Sequence, residues 1–389
     1  MSKPATTLTL LIVLLILSAV NMRSPIVMLG SLAPTLIEVL GLSVSAIGVL
    51  GALPMPTFAL GALVAPMLAK RLGLERVMMM SMAMLATAVL LRVWVGVSGF
   101  FVGTLVLSLA IGFLNALTAP LIKKYAPNHI TLATGVFSLS MSVFAGTCAF
   151  VVVPMVGGVG WQVALSWWGV FAVVALALLA MINKMTSHHA IDHTAHLEHI
   201  FNPWKNAQAW YLGVYMGIQS LLFYTVASFL PSIGVGYGMT MKQAGGLALS
   251  FQMAAPVAIL LLTYLIKRGL SIRVVALVAS LANVIGVGGV LWASSYLYLW
   301  SALMGFGAAA IFTLSLMLFS IRTKSLEAAR DLSGMVQAVG YGVAFFGPLV
   351  LGRLFEKTGA WELSLQVLFG LMCVNVVFGY LAGRSDKVD

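Results

Sequence analysis

The sequence predicts an all-α membrane protein with 12 transmembrane helices arranged as two six-helix pseudo-symmetric halves. Three observations lead there. Of 389 residues, 61% are hydrophobic and only 8% are Asp, Glu, Lys or Arg, against about 25% in an ordinary soluble domain. Mean hydropathy is +1.07. Apolar runs of roughly 20 residues, the length that crosses a bilayer as a helix, recur along the whole chain. So few charges could not cover a soluble protein of this size. Soluble enzymes, nucleic-acid binders and disordered chains are therefore excluded.

In chain order, the runs are 9–30, 44–68, 77–97, 100–121, 130–154, 162–183, 208–230, 243–266, 273–293, 297–320, 329–352 and 362–383. They are too long and too continuous for barrel strands, which alternate over about ten residues. The first run is expected to be a retained span, since no small-residue cleavage site follows it; a cleaved signal peptide is the alternative. With the N-terminus in the cytoplasm, the cytoplasmic segments carry 16 Lys and Arg. The outer side carries Lys242, Arg353 and Lys357. This asymmetry fixes the expected orientation, with both termini cytoplasmic. The net charge of +11 then faces anionic lipid rather than nucleic acid. Cys148 and Cys373 both fall inside spans, which argues against a structural disulfide or a metal site.

The second half echoes the first at an offset near 197 residues. Pro34 matches Pro231 and Gly48 matches Gly245. Lys70, Arg71 and Arg76 match Lys267, Arg268 and Arg273. Thr134-Gly135 resembles Ser333-Gly334, and Gly160-Trp161 resembles Ala360-Trp361. The expected organisation is a half at 1–183, a His-rich cytoplasmic linker at 184–207 and a second half at 208–389. Six plus six parallel repeats is the layout of the major facilitator fold, whose halves rock about a site near the midplane.

Polar residues at depth are the informative ones. All ten acids lie in loops, helix ends or the tail, and all six His lie in loops. A mid-membrane carboxylate or His relay is therefore absent. Proton coupling would have to use the substrate, Glu38 or Asp331. Zinc hydrolysis, paired-carboxylate catalysis and Ser-His-Asp chemistry lack their parts, so the chain is not expected to be an enzyme. Two cations remain at depth. Arg23 lies roughly 20 Å along its helix at 1.5 Å per residue. Its planar fork suits a carboxylate-like group brought by a substrate. The alternative is that Arg23 caps carbonyls released near Pro25. Arg92, near the outer end of the third run, is expected to contact substrate or to snorkel outward. Neutral candidates for substrate contact are Asn21, Asn115, Ser138, Gln219, Tyr224, Gln252, Gln337 and Tyr341, with Thr118 beside Asn115. Amides can bond either end of a polar ligand, and tyrosine adds a donor with an aromatic face. For each, interhelical bonding is the competing role. Gln337 and Tyr341 share a helix face at i and i+4.

These residues resemble a known family. Asn21-Met22-Arg23-Ser24-Pro25 is similar to the N-M-R-P signature of cyanate porters in the major facilitator superfamily. Phe113-Leu114-Asn115-Ala116 and Pro120-Leu121-Ile122-Lys123-Lys124 resemble that family's fourth-helix pattern. The run Leu332 to Tyr341 resembles the eleventh helix of its nitroimidazole-transporter members. Leu72-Gly73-Leu74-Glu75-Arg76 and Phe229-Leu230-Pro231 look similar as well. The likeness spans essentially the whole chain. It implies the facilitator fold and a small polar or anionic substrate. Arg23, Arg92, Asn115, Ser138 and Gln337 occupy positions where the family carries the same or similar residue types. One departure from the superfamily lies after the second helix, where Ala69-Lys70-Arg71 lacks the usual Asp ahead of the basic pair.

Two other motifs are weaker. Gly234-Val235-Gly236-Tyr237-Gly238 mimics a potassium-channel filter but reads as a short outer connection after Pro231. His188, His189, His193, His196 and His199 could hold zinc or sense pH; a solvated linker is the commoner explanation. The expected function is secondary active transport of a cyanate-like or other small anion, or a small polar organic compound, by rocker-switch alternating access. The expected setting is the inner (cytoplasmic) membrane, as a monomer, with Arg23 as substrate anchor. No cofactor, metal or nucleic acid is expected, and proton or ion coupling is open. The alternatives are an exporter of uncharged nitroimidazole-like heteroaromatics and a membrane receptor or sensor.

Overall fold

The computed structural model describes residues 4–42, 44–187 and 201–384. The His-rich stretch 188–200, and with it the suggestion of a metal or pH site there, lies outside the described residues. Twelve of the described helices are long and apolar enough to cross a membrane, and no strand occurs among the described residues.

The chain divides into two compact units. Unit 1 runs to Asn202 and also takes Lys324–Gly334. Its helices are α1 (Pro4–Ser31), α2 (Ala33–Leu40), α3 (Val44–Ala52), α4 (Pro54–Leu72), α5 (Leu74–Leu91), α6 (Gly96–Tyr125), α7 (Ile130–Val159), α8 (Trp161–Ser166) and α9 (Gly169–Ser187). Within it α1 packs on α7 and α9, α4 on α6, and α5 on α6 and α9. Unit 2 holds Pro203–Thr323 and 335–384. Its helices are α10 (Ala207–Gly236), α11 (Met241–Lys267), α12 (Ile272–Trp292), α13 (Leu297–Ile321), most of α14 (Leu326–Thr358) and α15 (Glu362–Ala382). There α13 packs on α11 and α12, and α15 on α10 and α12.

The twelve expected spans are all present, with local differences that have physical causes. The second run is broken between α3 and α4, where Pro54 has no N–H to continue the ladder. The sixth is broken at Trp167 and Trp168, whose rings pack together and on Phe171. The third stops at Leu91, and the chain turns through Gly96 at φ +72°. The outer connection expected after Pro231 is instead helix: α10 passes through Pro231 to Gly236, and the turn comes at Gly238, φ +86°.

Small residues bring helices together, since apolar side chains gain little by leaving lipid for one another. A Cβ on Gly61 would lie 2.9 Å from the Cα of Gly112, which sets the α4–α6 approach. Large apolar side chains such as Phe150, Leu249, Met253 and Trp292 remain exposed, as a lipid-facing surface requires. Three ion pairs among the described residues lie at helix ends. Glu75 at the start of α5 meets Lys124 and the Tyr125 hydroxyl at the end of α6. Asp331 in the first turns of α14 pairs with Lys70 at 2.8 Å and with Arg330 Nε at 3.1 Å. Asp331 thus meets Lys70 in the last turn of α4, beside the stretch Ala69-Lys70-Arg71 that carries no Asp.

Candidate functional site

In unit 1, α1 presents two different faces around Arg23. Asn21, Ser24, Pro25 and Met28 are buried, whereas Arg23, Ile26 and Val27 are half-buried and Gly30 is exposed. At 100° per residue, positions 23, 26, 27 and 30 form one stripe. Asn21 points away from that stripe. Its Nδ2 donates to the Leu17 carbonyl at 2.8 Å, and its Oδ1 has no partner among the described residues. Arg23 interacts with other groups of the protein and is not an isolated charge.

Arg92 does not snorkel. It is 1% exposed and folds back over Phe100, with Cζ 5.3 Å from the ring centroid. Its Nη2 donates to the Pro25 carbonyl at 3.2 Å and its Nη1 to Thr104 Oγ1 at 3.4 Å. Thr104 is itself oriented by donating to the Phe100 carbonyl at 2.8 Å. The early end of α5 frees Arg92 to turn inward, and Gly103 leaves the room: a Cβ there would lie 2.3 Å from Arg92 Cβ. No carboxylate among the described residues pairs with Arg92, and its Nε has no partner. A cation thus does meet a carbonyl at Pro25, and it is Arg92. The signal in the sequence was the Phe100, Gly103, Thr104 spacing on α6, which puts a ring, a gap and a hydroxyl on one face.

The remaining unit 1 candidates are buried. Asn115 and Thr118 on α6 are each 3% exposed, and Thr118 Oγ1 donates to the Leu114 carbonyl at 2.7 Å. Ser138 lies on α7, the helix packed along α1, and its hydroxyl has no partner among the described residues.

In unit 2, small residues bring α10 and α14 together along one seam. α10 and α14 run parallel. Gly213 faces Val339, Gly217 faces Gly340 and Val343, and Gly347 faces Leu221 and Thr225. Gln337 and Tyr341 on α14, and Gln219 on α10, are all buried, and Gln219 lies about 200° around α10 from Gly217, away from that seam. Gln219 Oε1 accepts from Ser220 at 3.2 Å. Tyr224 is half-buried, edge-on to Phe223 with centroids 5.3 Å apart. Gln252 on α11 is half-buried and lies off the seam. Sequence reasoning passed over Tyr215 of α10, fully buried, whose hydroxyl donates to the Ala276 carbonyl at 3.1 Å and accepts from Ser280. Asn283 and Asn375, fully buried on α12 and α15, are two further polar residues outside the sequence candidates. Among the described residues no group of His, Cys, Asp or Glu could hold a metal ion.

Twelve membrane-length helices with polar groups buried on them define a polytopic membrane protein. The chain belongs to the Major Facilitator Superfamily, whose family profile matches residues 10–348. It is 32% identical to the uncharacterized transporter YycB of Bacillus subtilis (strain 168), over 96% of this chain and 93% of that one. It is 30% identical to the 2-nitroimidazole transporter of Escherichia coli (strain K12), over 96% and 95%. It is 26% identical to the cyanate transport protein CynX of the same strain, over 95% and 97%. Among solved structures, the proton:xylose symporter XylE bound to 6-bromo-6-deoxy-D-glucose has the same fold. Its TM-score is 0.81 at 12% identity, over 99% of this chain and 98% of that one.

Proposed function

We propose that this protein is a secondary active transporter of a small anion or small polar organic compound, working by rocker-switch alternating access. Its setting is the inner membrane, with both termini cytoplasmic and Arg23 anchoring the substrate. The observation that carries the reading is the place of Arg23. It stands on the half-buried stripe of α1, in a helix whose sequence holds no acidic residue. A guanidinium there offers a planar pair of donors to a carboxylate-like or nitro-like group. The likeness to proteins named for cyanate and 2-nitroimidazole transport supports a cargo of that size. Asn115 and Ser138 from unit 1, and Gln219, Tyr224, Gln252, Gln337 and Tyr341 from unit 2, are the other substrate-contact candidates, with Asn21 and the buried Arg92 behind Arg23.

A second reading is export of a neutral nitroimidazole-like heteroaromatic, favoured by the higher identity to the nitroimidazole transporter. Flux of radiolabelled cyanate and of 2-nitroimidazole into reconstituted vesicles separates the two. Under the first reading cyanate moves, and Arg23→Ala lowers its flux by about 100-fold or more while the purified protein stays monodisperse. Wild-type flux in Arg23→Ala vesicles would remove Arg23 from the mechanism. Movement of 2-nitroimidazole alone would replace the first reading by the second.

A further inference from the structure

We propose that Arg92 is a positioning residue: it pins the backbone of α1 at Pro25, and so sets where Arg23 stands. The transport arm of this inference rests on the function proposed above; its structural arm does not.

Arg92 is an expensive residue for what it holds. Its charge is buried with no carboxylate. In return it has one carbonyl at 3.2 Å, one long contact to a hydroxyl at 3.4 Å, a ring at 5.3 Å and an unused Nε. A methionine, which ends level with Nε, would fill most of the apolar part of that space without desolvating a cation, and replacing buried charged groups by apolar ones is often neutral or stabilising. Stability therefore does not account for an arginine here. What the arginine supplies and an apolar side chain cannot is a directed hydrogen bond to α1, and it lands two residues from Arg23. That is also where α1 is weakest. Pro25 has no N–H, so the ladder bond to the Asn21 carbonyl is missing and the helix can bend. Pro25 lies about 200° around the helix from Arg23. A tether on the buried face therefore fixes the rotation of the opposite stripe, where Arg23, Ile26 and Val27 sit.

The structural arm uses full-length protein with Cys148→Ala and Cys373→Ala. Single cysteines then report α1: Val27→Cys on the Arg23 stripe, and Val13→Cys well before the proline. Labelling by a small methanethiosulfonate reagent is followed with time. Arg92→Met is expected to change the Val27→Cys rate by about threefold or more and to leave Val13→Cys unchanged. Arg92→Lys, which can reach the carbonyl with a single donor, should fall between. Thr104→Val removes one of the guanidinium's two acceptors with little change in volume, and carries the same test if Arg92→Met does not fold. In the transport arm, Arg92→Met should raise KM for cyanate or 2-nitroimidazole by about tenfold with a smaller change in kcat, and Arg92→Lys should restore part of it. Unchanged Val27→Cys labelling in a folded variant overturns the tether. Altered labelling with unchanged KM overturns its link to Arg23. If the wild type moves neither compound, the proposed function fails while the labelling still decides the tether.

Discussion

Asn283 and Asn375 are fully buried, and neither the oxygen nor the nitrogen of either amide has a partner among the described residues. α12 and α15 run antiparallel, with Arg273 beside Gly383, Ser280 beside Gly379 and Gly288 beside Phe369. That register puts the two asparagines at the same level. A buried amide without partners costs about 1–3 kcal/mol. Leucine has nearly the same shape, so Asn283→Leu and Asn375→Leu should each raise the thermal unfolding midpoint in detergent. A fall in either would mean that internal water satisfies the amides. Single residues were also where the sequence said least. It marked Arg23 and Arg92 as the two deep cations, since charge in an apolar run is conspicuous. It did not reveal that Arg92, 67 residues further on, holds the Pro25 carbonyl. A contact across that separation leaves no trace in local spacing.

At the scale of helices, α11 and α13 meet most closely at Gly305, where a Cβ would lie 1.9 Å from the Phe251 carbonyl oxygen. Gly305→Ala must part the two helices. It should cost about 1–3 kcal/mol, seen as a lower unfolding midpoint. Gly245→Ala on α11 is the control: its Cβ meets nothing within 4 Å, and it should be neutral or slightly stabilising. The number and approximate length of the spans were legible in the sequence because both follow from hydropathy. Their interruptions were not, because proline does not mark a fixed outcome in lipid. Pro54 opens a new helix, while Pro25, Pro66, Pro120, Pro154, Pro231, Pro256 and Pro348 lie inside continuous ones. Neighbouring helices and local adjustments absorb the lost bond in those cases.

At the scale of the whole molecule, the ten acids fall outside the middle of the apolar runs, and among the described residues Glu75 meets Lys124, and Asp331 meets Lys70 and Arg330, at helix ends. Transport should therefore survive dicyclohexylcarbodiimide, which attacks protonated carboxyls in apolar surroundings. Loss of flux together with a labelled mid-span carboxylate would contradict this. The family was legible from the sequence because its signature residues cluster within single helices, around Arg23, Asn115 and Gln337. The α10–α14 seam was not, since it depends on glycines facing one another across more than a hundred residues. The Arg92 tether also imposes an order on synthesis. Pro25 has left the ribosome before Arg92 is made, whereas Thr104 follows 12 residues later. The nascent α5 thus enters the bilayer with its cation's first acceptor already in place on α1, and α6 arrives last, closing over a charge that is already held.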